Sequence, residues 1–149
     1  MILRRPSQID KEAILEMMAE FEREQSAHDG GFWNPDNFVY EEWLEENIQA
    51  EAGLNIPENW VPAIQLVSFD DLLEKGGHIG YSIRPSERGK GYAKESLRQG
   101  LQVAKDKNIH RALVTCSIKN PASRAVILAN GGQLEDIRHE TERYWIDLE

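Results

Sequence analysis

Residues 88–91 read Arg-Gly-Lys-Gly, two cations and two glycines in consecutive positions. They stand where a strand-like run, 78–83 (HIGYSI), hands over through Arg84-Pro85 to a helical pattern that begins at Tyr92. A strand-to-helix turn aims the first backbone N–H groups of the helix at one point, and those groups have no intrahelical partner. The helix dipole adds about half a positive charge there. Glycine lets a ligand come close to the backbone, and Arg88 and Lys90 bring further charge. The combination suits a phosphate or pyrophosphate group. Two familiar phosphate loops are absent. There is no GxxxxGK followed by Ser or Thr, and Gly89-Lys90-Gly91 runs on as Tyr92-Ala93-Lys94, which breaks GxGxxG.

Other side chains near this loop could move protons. His78 and Tyr81 lie on the strand before it, and strand alternation puts them on opposite faces, so only one reaches a given slot. Each also has a structural reading, His78 as a hydrogen-bonding strand residue and Tyr81 as core. Cys116, in an apolar run with no His close in sequence, reads as a small core residue and not as a nucleophile. Phe32 and Trp33, in a glycine-containing loop, could wall a site, but the plainer reading is aromatics packed onto the core. Glu140 and Glu142 flank the last turn. They could meet a cationic molecule, but the plainer reading is solvated charge. His28, His78, His110 and His139 make no metal-ligand spacing with each other or with a Cys, so no metal is expected.

The elements that must position these groups follow from periodicity. Ile2–Arg5 is a short strand. Pro6-Ser7 opens a helix with Ile14, Met17, Met18 and Phe21 on one face, and Ser7 with Asp10 resembles a capping box. Residues 26–37 are a loop. A second helix carries Tyr40, Trp43, Leu44 and Ile48 on one face and stops at Gly53. Val61–Phe69 reads as a strand, 70–77 as a charged connection, and 78–83 as the next strand. Tyr92–Lys107 is a helix with Ala93, Leu97, Leu101 and Ala104 facing inward. Arg111–Ile118 is a buried strand. Asn120 caps a helix over Pro121–Ala129 that Asn130-Gly131 ends, and Gln133–His139 with Glu142–Leu148 forms a hairpin. Strands and helices alternate in the second half, so the class is α/β or α+β with a mixed sheet.

The chain has 149 residues, with neither repeats nor a linker, which predicts one domain over 1–149. Acids outnumber bases by 26 to 17, for a formal charge of −9. Nucleic acid is therefore not expected as the main partner, while a cationic amine is compatible. A single cysteine excludes an intrachain disulfide. The start MILRRPSQID has no apolar signal core, and no stretch is long enough to span a bilayer, so a cytoplasmic protein without membrane attachment is expected.

Arg88 through Ala93 also fit a longer pattern: Gln or Arg, two residues, Gly, one residue, then Gly or Ala. That pattern resembles the coenzyme A pyrophosphate loop of the GNAT acetyltransferase superfamily. The context is similar too: a strand before, a helix and strand after, then Asn120-Pro121-Ala122-Ser123 like the family's Asn-x-x-Ser at its fourth helix. The segments GGHIGYSIRPSERGKGYA and TCSIKNPASRAVILANGG resemble a bacterial branch of predicted acetyltransferases.

The resemblance implies a GNAT-like mixed central sheet flanked by helices. It implies an N-acetyltransferase that moves an acetyl group from acetyl-CoA to a primary amine, small-molecule or peptide, by direct attack in a ternary complex. Backbone groups of Ile83 and Arg84 would bind the pantetheine arm, as if adding a strand. Arg88, Gly89, Lys90, Gly91, Tyr92 and Ala93 would wrap the pyrophosphate, with Asn120 and Ser123 near the arm. The sheet would splay between the strands of Ile83 and Cys116. A homodimer is common among fold relatives. Two departures stand out. The tyrosine that many members carry on the fourth helix is replaced by Ile127, which leaves Tyr81 and His78 as candidate acid or base. It also leaves room for a rival reading, a non-catalytic acyl-CoA sensor or interaction domain. And 61–77 is short for the hairpin the family places there, which implies either a trimmed sheet or residues missing between Ile64 and Gly77.

Overall fold

Among the described residues four amphipathic helices organise the chain, and each stops in the same way. In the computed structural model, which describes residues 3–26, 33–56, 58, 63–68 and 79–148, these are α1 (Lys11–Arg23), α2 (Tyr40–Glu51), α3 (Tyr92–Asp106) and α4 (Pro121–Ala129). After each cap comes a left-handed residue: Gln25, Gly53, Asn108 and Gly131, with φ of 47°, 73°, 61° and 85°. At α4, Gly131 N–H donates to Leu128 O at 3.1 Å and Gly132 N–H to Ile127 O at 3.0 Å, the paired bonds of a Schellman turn. Gly53 and Gly131 take this conformation freely, whereas Gln25 and Asn108 hold it against a side chain.

The apolar periodicity predicts most of what is buried. Ile14, Met17, Met18 and Phe21 of α1 pack with Tyr40 and Trp43 of α2, joined by Trp33, Phe38 and Leu44. Ile48, expected on that face, is 64% exposed; the α1 contacts end at Trp43 and Leu44. The second core joins Leu97, Leu101 and Ala104 of α3 to Ile127 of α4 and to the sheet. The capping box forms, with the Asp10 carboxylate accepting from Ser7 N–H at 2.8 Å, although the turn it caps, Gln8–Asp10, is a 3-10 turn leading into α1.

Strand β1 (Leu3–Arg4) pairs antiparallel with β2 (Val67–Ser68). Strands β3 (Arg111–Ser117), β4 (Gln133–Arg138) and β5 (Thr141–Asp147) form an antiparallel sheet in the order β3-β5-β4. β3 is not buried on both faces: Ala112, Val114 and Cys116 point inward and alternate with more accessible residues.

The architecture is thus α+β, and two expectations need correction. The strand over Val61–Phe69 is, among described residues, only Val67–Ser68. Residues 79–83 form no ladder with any described residue, and every ladder among the described residues is antiparallel. The order strand, α3, β3 would make 79–83 a parallel neighbour of β3. Instead this segment is held by side chains: Ile79 and Tyr81 pack on the second core, and a Cβ added to Gly100 of α3 would sit 3.0 Å from Ile79 Cγ2. His78, Phe32 and most of the short 61–77 stretch lie outside the described residues. Among described residues no helix is long and apolar enough to cross a membrane, and no acid, His or Cys cluster could hold a metal.

A Cβ on Gly132 would meet Ile127 Cγ2 at 2.4 Å and Ile127 O at 2.9 Å, a clash with buried backbone. Gly132→Ala is therefore expected to destabilise the protein by ~1–3 kcal/mol, read as a lowered urea midpoint with an unchanged slope.

Candidate active site

Residues 84–93 leave the core as a 3-10 turn, Pro85–Glu87, followed by the Arg-Gly-Lys-Gly loop. Gly89 and Gly91 both have positive φ, 81° and 86°, and Gly91 is the N-cap of α3. A Cβ built on either glycine meets nothing within 4 Å, so conformation, not crowding, demands glycine here, and the space above the loop is open. The first bonds of α3 run from Lys94 and Glu95 N–H to Gly91 O, at 3.1 and 3.3 Å. The N–H groups of Tyr92 and Ala93 precede them and lie at the positive end of the helix dipole. Lys90 pairs with Glu87.

The two arginines of the segment turn back toward the chain. Arg88 donates from Nε to Ile83 O at 3.0 Å and from Nη2 to Ser26 Oγ at 2.6 Å. Arg84 donates from Nε to Glu20 Oε2 at 2.8 Å and from Nη2 to the same oxygen, while Ser86 N–H donates to Glu20 Oε1 at 2.8 Å. Burial alone would raise the Glu20 carboxyl. The bonds from Ser86 and Arg84 outweigh it and hold the group down at about 2.

Asn120 caps α4, its Oδ1 accepting from Ser123 N–H at 3.0 Å. Ser123 Oγ lies 2.9 Å from the Tyr81 hydroxyl, which also lies 3.3 Å from Ser123 O. A phenol carried on 79–83 therefore reaches α4 one turn before Ile127, which is itself fully buried. Burial pushes the Tyr81 phenol up to about 12, against a lowering by Ser123.

Behind this pair is a cluster that the sequence reading missed. Glu142 is 6% exposed and not solvated. Its carboxylate accepts from Arg124 Nε at 2.8 Å and Nη2 at 2.6 Å, and from the Tyr144 hydroxyl at 2.9 Å; Cys116 Sγ lies 3.4 Å away. Arg124 Nη2 also donates to Ile118 O at 3.0 Å. Glu140, by contrast, stays exposed and pairs with Lys119. Burial, followed by the Glu142 contact, pushes the Cys116 thiol up to about 11, so it is a protonated core residue.

The signal for Glu142 was in the sequence. It shares strand parity with Tyr144, Ile146 and Leu148, all buried. Glu20 sits beside Met17, Met18 and Phe21 on the apolar side of α1, where an unpaired acid would be costly. Trp33 packs edge-on against Phe21, with centroids 5.9 Å apart.

The family profile for the acetyltransferase (GNAT) domain matches residues 1–133. The chain belongs to the GNAT acetyltransferase family. Members are acetyl-CoA-dependent acetyltransferases, and acetyl-CoA is the cosubstrate that membership assigns to this GNAT domain. Solved structures agree in fold. One described as a probable acetyltransferase superposes with a TM-score of 0.74 at 18% identity, covering 97% of this chain and 91% of its own. RimL, a ribosomal L7/L12 alpha-N-protein acetyltransferase in complex with coenzyme A, gives 0.68 at 19%, covering 98% and 93%. The microcin C7 self-immunity acetyltransferase MccE, in complex with acetyl-CoA and AMP, gives 0.64 at 20%, covering 97% and 91%. A comparison with curated protein sequences finds no match.

The bond from Arg124, set against burial and joined by Tyr144, holds Glu142 down at about 2 from an ordinary 4.5. A depressed carboxyl contributes stability that is full above its unfolded value and is lost as pH falls through the folded one. The stability gap between the wild type and Glu142→Gln is therefore expected to be greatest above about 4.5 and to close toward about 2, measured by urea melts across that range.

Proposed function

We propose that this GNAT domain is an N-acetyltransferase in which the open, left-handed glycine loop at the start of α3 holds the cofactor pyrophosphate. The observation that carries this reading is the loop itself. Gly89 and Gly91 clear space in front of the leading N–H groups of α3, a geometry suited to a phosphate. Lys90 and the backbone from Arg88 to Ala93 would contact the pyrophosphate. The Ile83 carbonyl, which already accepts from Arg88, has a second lone pair for the pantetheine arm. Asn120 caps α4 through its oxygen, which leaves its NH2 group to donate to the arm, with Ser123 beside it. RimL and MccE are solved with coenzyme A and acetyl-CoA, which supports the same ligand here. The profile match stops at the first residue of β4, yet β5 pairs along all of β3, so we take 1–149 as one domain.

Acetyl-CoA would supply a thioester; a primary amine, having given up its ammonium proton to water, would form the C–N bond as the C–S bond breaks, with sulfur leaving as thiolate and the remaining amine proton passing to solvent. Tyr81, whose hydroxyl lies at the start of α4 beside Ser123, would meet that sulfur. No ladder joins 79–83 to β3, and its hydroxyl lies at α4. A phenol held at about 12 is a weaker acid than a thiol near 8.5, so Tyr81 donates a hydrogen bond and keeps its proton. Positioning of the two substrates then supplies much of the rate. The acceptor is an amine, small-molecule or peptide, and the net charge of −9 suits its cationic form.

A panel of primary amines with acetyl-CoA, read by thiol release, tests the activity. Binding of acetyl-CoA without release for any amine would favour a sensor. Gly91→Glu, which places a negative charge and a side chain at φ 86°, is expected to abolish the thermal shift given by acetyl-CoA. Tyr81→Phe removes one hydrogen bond to a charged group, worth ~1.5–3 kcal/mol, and is expected to lower kcat by ~10–100-fold. A loss within threefold would remove Tyr81 from the chemistry.

A further inference from the structure

Glu20 is a buried carboxylate that the chemistry above does not use. It is 5% exposed, on α1, and its three donors all come from residues 84–86, more than sixty positions away in sequence. Arg84 and Ser86 lie between the Ile83 carbonyl and the glycine loop. A second tie runs in parallel. The left-handed turn at Gln25 ends α1 and presents Ser26, whose hydroxyl accepts from Arg88, and Arg88 in turn donates to Ile83 O. The end of α1 thus grips both sides of a short segment that forms no β-ladder with any described residue. A buried ion pair is weak evidence for stability, since an apolar pair of equal volume often does as well. What it supplies is geometry: two guanidinium N–H groups on one carboxylate oxygen and the Ser86 backbone N–H on the other leave residues 84–86 one path.

We propose that Glu20 is a positioning residue for coenzyme A, holding Arg84 and Ser86 so that the Ile83–Arg84 backbone and the 88–93 loop face one ligand. This rests on the cofactor site proposed above. Glu20 touches neither cofactor nor acceptor; its effect passes through the backbone it fixes. Losing it therefore affects cofactor affinity and not the chemical step.

The test is calorimetric titration of the full chain with coenzyme A, together with steady-state kinetics. Glu20→Gln and Arg84→Gln are each expected to weaken binding by roughly tenfold or more. Each should raise KM for acetyl-CoA while leaving kcat at saturation within threefold. The double variant should be no weaker than the worse single one, because both act through one unit. Gly132→Ala, destabilised elsewhere, should bind as the wild type does, which separates positioning from general loss of stability. Should Glu20→Gln fail to fold by circular dichroism, Arg84→Gln carries the same comparison. Wild-type affinity in both single variants, or additive losses in the double, would overturn the proposal. If the unchanged protein fails to bind coenzyme A, the cofactor site itself falls, and this role with it.

Discussion

Arg124 and Glu142 make the contact on which the chemical end of the molecule depends. One guanidinium holds the β5 carboxylate and the carbonyl of Ile118, so it joins α4, β5 and the turn after β3. That fixes the start of α4, and with it the cap of Asn120 and the position of Ser123. Ser123 then receives Tyr81, which helps to hold 79–83 where no backbone ladder does. A buried charge survives only when its bonds are satisfied. Here the carboxylate has Arg124 and Tyr144 as donors, with the Cys116 thiol close by.

No ladder joins 79–83 to β3. A parallel neighbour with full hydrogen bonding would close the sheet at this point. Side-chain packing through Ile79 and Tyr81 holds the segment against the second core, and Arg88 donates to its Ile83 carbonyl. The same logic explains why the segment needs external bracing, from Glu20 at Arg84 and Ser86 and from Gly100 beneath Ile79.

Local strain marks the ends of the elements that surround the site. Gln25 and Asn108 accept left-handed conformations that glycine would adopt more easily. At Gln25 the result is the placement of Ser26 against Arg88. At Gly89 and Gly91 no strain is involved, and the open space beside them is what their small size preserves.

Most of the second half was legible from sequence, because its signals are local. Asn120 and Pro121 start α4 and Asn130-Gly131 end it, as capping chemistry requires. Period 3.6 in α3 and period 2 in β3 and β5 sort inward from outward residues. The glycine turn at the start of α3 was also readable, since Gly89 and Gly91 take positive φ values that side chains disfavour. Where the sequence misled, the deciding partner was distant. Ile48 carries the right spacing for burial, but what covers a helix turn is set by another element. Val61–Phe69 and 78–83 have strand composition, yet a strand exists only where a neighbour completes the ladder. Glu142 had the parity of a buried residue and the chemistry of an exposed one; Arg124, eighteen positions earlier, decided between them. Periodicity and capping belong to the chain itself. The desolvation of Glu20 and Glu142, and the pairing that makes it tolerable, are created only when the elements pack.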